Sequence, residues 1–403
     1  MNRLLVIAYY TPPLGLSGVM RVTKLCKFLP DFGWEPIILT VKDVAYYAYD
    51  ESLLSDLSRA KIFRTESLDP NRILRILQNV KGKRQKAKRE PPLGSRYDLA
   101  RGARLLNFIF LPDAKVGWMP FAIKEGKRLI GELKPQAVLA TAPPWSALLI
   151  GLKLAQNGNL PFIADFRDPW PAGFQAPPFY QRPFLKKILK RIFAGASMVL
   201  AVNKGTAQRI AHYGEEKIAI LENGFDPDEF IIAPEKLPGF SILYVGNLYE
   251  NQQEIAGFLS ALTQLPDVRF YLAGNIDKES QKMLRKNKQV TLLGRVPHSR
   301  ALALMKGADA LLYIGKPGQP VGLKLYEYLG AQKPIIVWAE NALEAADLVK
   351  EMDAGSSCND AVSLGRFIQE IKENPNRFSG KDRSRFNRRN QAEWLALRLK
   401  SLL

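Results

Sequence analysis

Short apolar runs alternate along the chain with longer segments in which apolar residues recur every three or four positions. The short runs end in Gly, Pro or Asp, and this alternation predicts parallel β-sheets covered by helices. The first set of predicted strands is Leu4 to Ala8, Glu35 to Thr40, Ala137 to Thr141, Phe162 to Asp165, Met198 to Val202 and Ile218 to Leu221. The second set is Ser241 to Val245, Arg269 to Ala273, Val290 to Leu293, Ala310 to Tyr313 and Pro334 to Trp338.

The two sets of strands predict an α/β protein of two doubly wound, Rossmann-like domains. A turn-rich stretch from Asn223 to Pro238 separates the sets and suits a linker. A chain of 403 residues is also too long for one compact core. We therefore expect domains at 1–235 and 236–376, with an irregular basic insertion at about 42–118 and a helical Asp50 to Arg59 within it. The last segment, 377–403, has the pattern of an amphipathic helix packed on the protein.

Composition narrows the class of protein. The apolar fraction of 47% and the charged fraction of 24% are typical of soluble globular proteins. Cys26 and Cys358 lie far apart, which excludes a disulfide framework and a cysteine metal site and fits a reducing cytoplasm. No apolar run reaches the roughly 18 to 20 residues of a membrane-spanning helix. With two histidines, a histidine metal site or a Ser-His-Asp triad is not expected, and we predict no metal and no cofactor.

The net charge of +19 indicates a polyanionic partner. A nucleic-acid partner would require basic residues interleaved with stacking aromatics, or a known binding module, and neither pattern is present. The basic run Lys81 to Arg89 favours an anionic membrane surface, with a solvated basic loop as the alternative. We therefore expect a cytoplasmic protein that is peripheral on the inner face of the membrane.

The loop after the first strand contains Gly15 and Gly18 and leads into a helix. Glycines allow the backbone to approach a ligand closely, and the free amides at a helix start suit a phosphate. The loop lacks a full dinucleotide fingerprint and a Walker lysine, so a plain tight turn is an equal alternative.

A second candidate loop places Asp165, Arg167 and Asp168 at the end of a buried strand. Charges in that position must be paired or exposed to a ligand. Arg167 could pair with Asp165, and Asp168 could cap a helix; otherwise the three side chains contact a substrate. Trp145, which follows a neighbouring strand, could stack on a sugar or fill space.

The third candidate is the segment that begins Gly322-Leu323-Lys324 and continues to Glu327. Gly322 and Leu323 would open a helix whose amides can receive a phosphate, while Lys324 adds positive charge. Glu327, one turn later, offers a carboxylate that can accept hydrogen bonds from both hydroxyls of a ribose.

This segment resembles the nucleotide-sugar site of glycosyltransferase family four, retaining enzymes of GT-B fold, whose pattern is E-G-F-G-L-x-x-x-E. Gly322, Leu323 and Glu327 match that pattern. Further segments that resemble the family are Pro-Pro-Leu-Gly-Leu-Ser-Gly-Val, Asp-Phe-Arg-Asp-Pro-Trp and Asn-Gly-Phe-Asp. The resemblance implies two domains facing each other across a cleft, with the acceptor on the first and the donor on the second. It also implies that the C-terminal helix crosses back to the first domain.

The sequence departs from the family pattern at several positions. Gln319 stands where the family has a glutamate that touches the donor sugar, and Gln332 replaces a turn glycine. After the first strand of the second set, Gly246 is followed by Asn247 in place of arginine, and Gln252 stands near the position of the family's lysine. The charge of the phosphates must then be met elsewhere, and the candidates are Lys324, Lys316 and Arg295.

The resemblance implies transfer of a hexosyl or related sugar from a nucleotide sugar to a glycan or lipid-linked acceptor, with retention and without metal, in cell-surface polysaccharide biosynthesis. The departing diphosphate would help to deprotonate the acceptor, and Lys324 would stabilise the negative charge that grows on the diphosphate. Asp165, Arg167 and Asp168 would position the acceptor. A non-catalytic GT-B protein that binds a nucleotide sugar or scaffolds polysaccharide assembly is the alternative. A nucleic-acid surface is a third interpretation of the positive charge.

Overall fold

The computed structural model describes residues 1–15, 17–44, 49–70, 72–73, 76, 110–168, 170, 178–248, 252–315, 321–338, 343–379 and 381–403. These residues form two compact units. The first unit contains Met1–Glu222 together with Gln391–Leu403, and the second contains Asn223–Asn390.

The first unit is built on a seven-stranded parallel sheet with the order β3-β2-β1-β4-β5-β6-β7. Its strands are β1 (Asn2–Ile7), β2 (Trp34–Val41), β3 (Lys61–Thr65), β4 (Ala137–Ala142), β5 (Phe162–Phe166), β6 (Met198–Ala201) and β7 (Ile218–Ile220). The helices described in this unit are α1 (Ser17–Phe28), α2 (Met119–Leu133), α3 (Ser146–Gly158), α4 (Arg182–Gly195) and α5 (Lys204–Ile210).

The second unit is built on a six-stranded parallel sheet with the order β10-β9-β8-β11-β12-β13. Its strands are β8 (Phe240–Val245), β9 (Val268–Ala273), β10 (Val290–Gly294), β11 (Ala310–Ile314), β12 (Ile335–Trp338) and β13 (Gly355–Cys358). The remaining described helices are α6 (Gln252–Leu262), α7 (Lys278–Arg285), α8 (His298–Gly307), α9 (Leu323–Ala331), α10 (Leu343–Glu351), α11 (Ala361–Glu373) and α12 (Arg388–Ser401).

Each sheet is covered on both faces, as its nearly continuous apolar strands require. In β1, Leu5 and Ile7 enter one cluster of buried residues, while Leu4 and Val6 enter another on the opposite face. The second cluster also contains Ala392, Leu395, Ala396 and Leu399 of α12. The C-terminal helix therefore completes the hydrophobic core of the first unit, although it follows the second unit in the chain.

The predicted fold class is confirmed, since both sheets are parallel and flanked by helices. Two strands were not predicted: β3, which lies inside the predicted irregular insertion, and β13. Both are edge strands. The predicted helix from Asp50 to Arg59 is instead a run of 3-10 turns over Glu51–Leu57. The basic run Lys81 to Arg89 lies outside the described residues. No helix in the described ranges is long and apolar enough to cross a membrane.

Candidate functional site

Each sheet has one point where the order of its strands reverses, so that successive strands are added first on one side and then on the other. In the first sheet this point lies between β1 and β4, and in the second it lies between β8 and β11. Ligands of open α/β sheets bind beyond the carboxyl ends of the strands at such switch points. The predicted site residues follow β1, β4 and β5 in the first unit, and chiefly β8 and β11 in the second. Local topology therefore brings most of the predicted residues to these two positions.

Lys324 lies at the switch point of the second unit. Its Nζ is 3.7 Å from the centroid of the Tyr244 ring, over the ring face. Burial lowers the pKa of Lys324 to about 7, against the opposing effect of the Glu327 charge. The ring face of Tyr244 also favours the ammonium form. Lys324 is half-buried, and Glu327 lies one helical turn away. We expect Lys324 to become fully charged when an anion binds beside it.

Gly246 leaves the space that the end of the Lys324 side chain occupies. A Cβ atom on Gly246 would lie 2.7 Å from Cε and 2.8 Å from Nζ of Lys324. Gly246 also has φ of +127°, which side chains rarely adopt. The turn is fixed by a hydrogen bond of 2.8 Å from Gly246 N to Ala273 O. The absence of a side chain at Gly246 therefore determines where the ammonium group of Lys324 lies.

Helix α9 begins directly at this site. Gly322 is its N-cap residue and provides no side-chain cap, and the first turn has no acidic residue. Gly322 N donates to Tyr313 Oη at 3.1 Å, and Val245 N donates to Tyr328 Oη at 3.0 Å. These two buried tyrosines hold the end of β8 and the start of α9 in place. The helix start presents backbone amides and positive dipole, with Leu323 half-buried and Glu327 on the same side as Lys324.

Two further predicted donor-site residues lie on the loops of this sheet edge. Asn247 is exposed; its carbonyl oxygen accepts from Tyr244 Oη at 2.9 Å, and its Oδ1 accepts from Asn275 Nδ2 at 3.3 Å. Arg295 is exposed and follows the edge strand β10, which β9 separates from β8. At about 4.8 Å per strand, roughly 10 Å of sheet lies between Arg295 and the switch point. Gln319 and Lys316 lie outside the described residues.

In the first unit, Asp165 is buried at the end of β5 and is fully engaged. Arg21 donates to it through Nη2 at 2.8 Å and through Nε at 3.1 and 3.2 Å, and Thr141 donates at 2.7 Å. Burial alone would raise the pKa of Asp165, but the charge and hydrogen bonds of Arg21 hold it below its ordinary value. The partner of Asp165 is thus Arg21, not Arg167 as one interpretation of the sequence had it.

Arg21 was not identified as a site residue from the sequence. It lies on α1, and Nη1 donates to the carbonyl oxygen of Glu222 at 3.0 Å. A signal was available, because Arg21 shares a helical stripe with Gly18 and Leu25, at spacings of three and four. An arginine on the inward stripe of a helix must find a buried carboxylate.

Arg167 connects the loops of the first unit. Its guanidinium donates to the carbonyl oxygens of Gly18 and Pro143 and, at 3.3 Å, to that of Ala142. A Cβ atom on Gly18 would lie 2.8 Å from Nη1 of Arg167, so the guanidinium fills the space this glycine leaves. Gly15 is buried just before α1. The glycine at position 18 is therefore required by Arg167.

Asp168 is half-buried and differs from Asp165. Burial raises the pKa of its carboxyl, and the charge of Arg167 acts against this. No hydrogen bond joins its carboxylate to another side chain or backbone group in the described part of the chain. Nearby, Trp145 stacks on Trp170 with ring centroids 4.8 Å apart at 15°. Trp145 remains partly exposed, and Trp170, on which it stacks, follows Asp168 by two residues in the chain.

A buried polar network, missed by the sequence analysis, supports these loops. Asp69 accepts from Tyr9 Oη at 2.8 Å, and its Oδ1 lies 3.5 Å from Lys115 Nζ. Asp113 accepts from Ser146 N at 2.9 Å and so caps the start of α3. Burial lowers the pKa of Lys115 and raises that of Asp113. The network joins the segment before α2 to the ends of β1 and β4, so it belongs to the framework of the site.

Family models match most of the chain. The model of Glycosyltransferase Family 4 matches residues 19–229, and the model named Glycosyl transferases group 1 matches residues 239–374. No curated protein sequence matches the chain.

Solved structures share the fold at low identity. A glycosyltransferase from Rickettsia africae is 16% identical, with a TM-score of 0.65 over 100% of this chain and 98% of its own. Sucrose-phosphate synthase from Thermosynechococcus elongatus is 16% identical, with a TM-score of 0.64 over 100% and 99%. HepE of Anabaena in complex with UDP-glucose is 14% identical, with a TM-score of 0.60 over 99% and 100%.

Proposed function

Because this chain belongs to Glycosyltransferase Family 4, and is thus a glycosyltransferase of GT-B fold, we propose that it moves a hexosyl or related sugar from a nucleotide sugar to a hydroxyl of a glycan or lipid-linked acceptor. The proposal includes retention at the anomeric carbon, independence of metal and a role in cell-surface polysaccharide biosynthesis. The observation that carries it is the position of Lys324 over Tyr244, one turn before Glu327 and beside the start of α9, where the N-cap residue makes no side-chain cap hydrogen bond.

The donor is bound by the second unit. Its diphosphate is placed against the first amides of α9 and the ammonium group of Lys324, where the helix dipole and the lysine charge act together. Glu327 accepts hydrogen bonds from the ribose hydroxyls. Asn247 offers a neutral amide in place of the arginine of the family pattern. UDP and UDP-glucose occupy HepE of Anabaena, which supports a UDP sugar as the first donor to test.

Transfer breaks the bond between the anomeric carbon and the diphosphate oxygen and forms a bond from that carbon to the acceptor oxygen. With retention, the acceptor approaches on the face from which the diphosphate leaves. The acceptor proton then passes to an oxygen of the departing diphosphate. Lys324 and the α9 amides stabilise the charge that grows on this diphosphate, which is the chief electrostatic contribution of the protein.

The acceptor is bound by the first unit. Asp168 is the carboxylate available to accept a hydrogen bond from the acceptor hydroxyl, and its raised pKa makes it a stronger base than an exposed aspartate. Asp165 and Arg167 are positioning residues, because their polar atoms are engaged by Arg21, Thr141 and backbone carbonyls. The aromatic wall of Trp145 suits a sugar ring. An anionic membrane surface, where lipid-linked acceptors are found, is the proposed partner.

The test begins with thermal shift against UDP, GDP, ADP and TDP sugars, because a ligand bound by the folded state alone raises the melting temperature. Turnover of the selected donor is then measured with wild type, Glu327→Gln and, as a matched surface control, Glu279→Gln. We expect Glu327→Gln to weaken donor binding about 10- to 100-fold. The 2′,3′-dideoxy form of the nucleotide should bind worse than the parent in wild type but equally in Glu327→Ala.

Activity should persist in EDTA. Binding without turnover, across donors and acceptors, would instead favour the non-catalytic GT-B alternative. Equal discrimination between the nucleotide and its dideoxy form in wild type and Glu327→Ala would contradict the role of Glu327.

A further inference from the structure

One surface of the first unit exposes three aromatic side chains that its core does not use. Phe179, Tyr180 and Phe184 have 79%, 50% and 60% of their surfaces exposed. The 3-10 turn Phe179–Gln181 leads directly into α4, which is anchored in the core by its opposite side. The anchoring residues are Leu185, Leu189, Ile192 and Phe193. Neighbouring exposed aromatics that pack no core mark an interaction surface.

The same side of α4 is strongly cationic. Its exposed charged residues are Arg182, Lys186, Lys187, Lys190 and Arg191. The sequence contains no Asp or Glu between Asp168 and Glu215, so no acidic residue of this segment balances them. Five like charges on one fourteen-residue helix repel one another and favour an anionic partner. We name this surface, Phe179, Tyr180 and Phe184 with these five cationic residues, the α4 surface.

Chain topology fixes which edge of the sheet the aromatics occupy. Strand β5 ends at Phe166, and β6 begins at Met198. In a parallel sheet α4 must therefore start at the carboxyl edge and run back to the amino edge. The helix extends about 21 Å at 1.5 Å per residue. Its aromatic end thus lies at the edge that carries Asp168, and the lysines continue away from it.

We propose that the α4 surface docks the protein on an anionic lipid bilayer. Aromatic side chains favour the bilayer interface, and each nearby Lys or Arg adds electrostatic attraction to anionic headgroups. The aromatics cluster at one end and are not interleaved with the cations along the helix, an arrangement that suits insertion at one depth. Bases of single-stranded nucleic acid would instead require stacking rings spaced along a basic groove.

The proposal rests on the membrane partner included in the proposed function, and it gives that partner a location different from the basic run Lys81 to Arg89. It also has a consequence for catalysis. A bilayer held against the aromatic end of α4 lies at the same sheet edge as Asp168. A lipid-linked hydroxyl could then reach the acceptor site without leaving the membrane surface.

The test is flotation of the full-length protein with vesicles of phosphatidylcholine alone or with 30% phosphatidylglycerol. Wild type should float only with the anionic vesicles and should be released by 0.5 M salt. Two triple variants, F179S/Y180S/F184S and K186Q/K187Q/K190Q, should each bind at least about tenfold less. The matched controls are K278Q/K282Q/R285Q on exposed α7 and I231S/V362S, which should float like wild type.

Circular dichroism and thermal melting establish that each variant is folded, and nucleotide binding in solution should be unchanged in all of them. The flotation assay contains no donor, so failure of the proposed transfer reaction does not affect its outcome. Three results would overturn the proposal: wild type floats with neither vesicle, both α4 variants float like wild type, or neutralising Lys81 to Arg89 alone abolishes binding. Retention on single-stranded DNA, lost in the same variants while vesicles are ignored, would assign the surface to nucleic acid instead.

Discussion

The ammonium nitrogen of Lys324 lies 3.7 Å from the centre of the Tyr244 ring. The hydroxyl of Tyr244 donates a hydrogen bond to the carbonyl oxygen of Asn247, the residue that follows Gly246. The same ring therefore supports the lysine and closes the turn beside it. A diphosphate bound as we propose would therefore meet the ammonium group of Lys324 at this position.

Binding of a nucleoside diphosphate should be coupled to proton uptake by Lys324. Its pKa of about 7 leaves it mostly neutral at pH 8, and a bound diphosphate favours the charged form. Calorimetry at pH 8 in buffers of different ionisation enthalpy should give between about half and one proton taken up per ligand. Lys324→Arg should take up close to none, because arginine remains charged. At pH 6 the wild-type uptake should largely disappear, and equal uptake by both proteins at pH 8 would refute the coupling.

Gly246→Ala should weaken donor binding through Lys324. The new Cβ would lie within 2.8 Å of Nζ, and the flexible lysine would move away from its position over Tyr244. We expect an approximately tenfold rise in Kd. Gly294→Ala is the matched control, since Gly294 has φ of +66° but nothing within 4 Å of its Cβ position.

The decisive comparison is a double-mutant cycle. In a Lys324→Ala background, Gly246→Ala should have little further effect on Kd, because the side chain it displaces is gone. Equal losses from Gly246→Ala and Gly294→Ala, or an undiminished effect in that background, would mean that backbone strain alone is responsible.

The central strands were predictable because each is covered on both faces and therefore appears as an apolar run. The two unpredicted strands, Lys61–Thr65 and Gly355–Cys358, are edge strands, where one side lacks a partner and polar residues are tolerated. Gln332 occupies the position of the family's turn glycine and has φ of +56°. The left-handed turn is thus retained without glycine, at a cost of about 1 kcal/mol.

Some residues of the candidate site could also be predicted from the sequence, and others could not. Lys324 and Glu327 follow a local pattern that the sequence alone displays. The roles of Arg21 and Tyr328 depend on partners far away in the chain, Asp165 for Arg21 and Val245 for Tyr328. Such pairs are set by strand order and register, which a single sequence does not specify.

Replacement by asparagine should have different effects at Asp165 and at Asp168: the first should reduce stability and the second should reduce activity. Asp165→Asn leaves Arg21 buried without its counter-charge and should lower the free energy of unfolding by about 3 to 5 kcal/mol. The carboxylate pKa is held below its ordinary 3.8 in the folded protein, so this contribution is present at neutral pH and is lost as the pH falls through that lowered value. Urea unfolding at pH 7 and at a series of pH values below 3.8 measures it.

Asp168→Asn should leave urea unfolding within about 0.5 kcal/mol of wild type, because no hydrogen bond in the described part of the chain depends on its carboxylate. It should lower kcat/KM for the acceptor about 10- to 100-fold, since a neutral amide accepts a weaker hydrogen bond from the acceptor hydroxyl than a carboxylate does. Removing both buried partners in Arg21→Met/Asp165→Leu should restore part of the stability lost in Asp165→Asn. If Asp168→Asn instead destabilises the protein as much as Asp165→Asn and preserves turnover, Asp168 is structural and the acceptor is bound elsewhere.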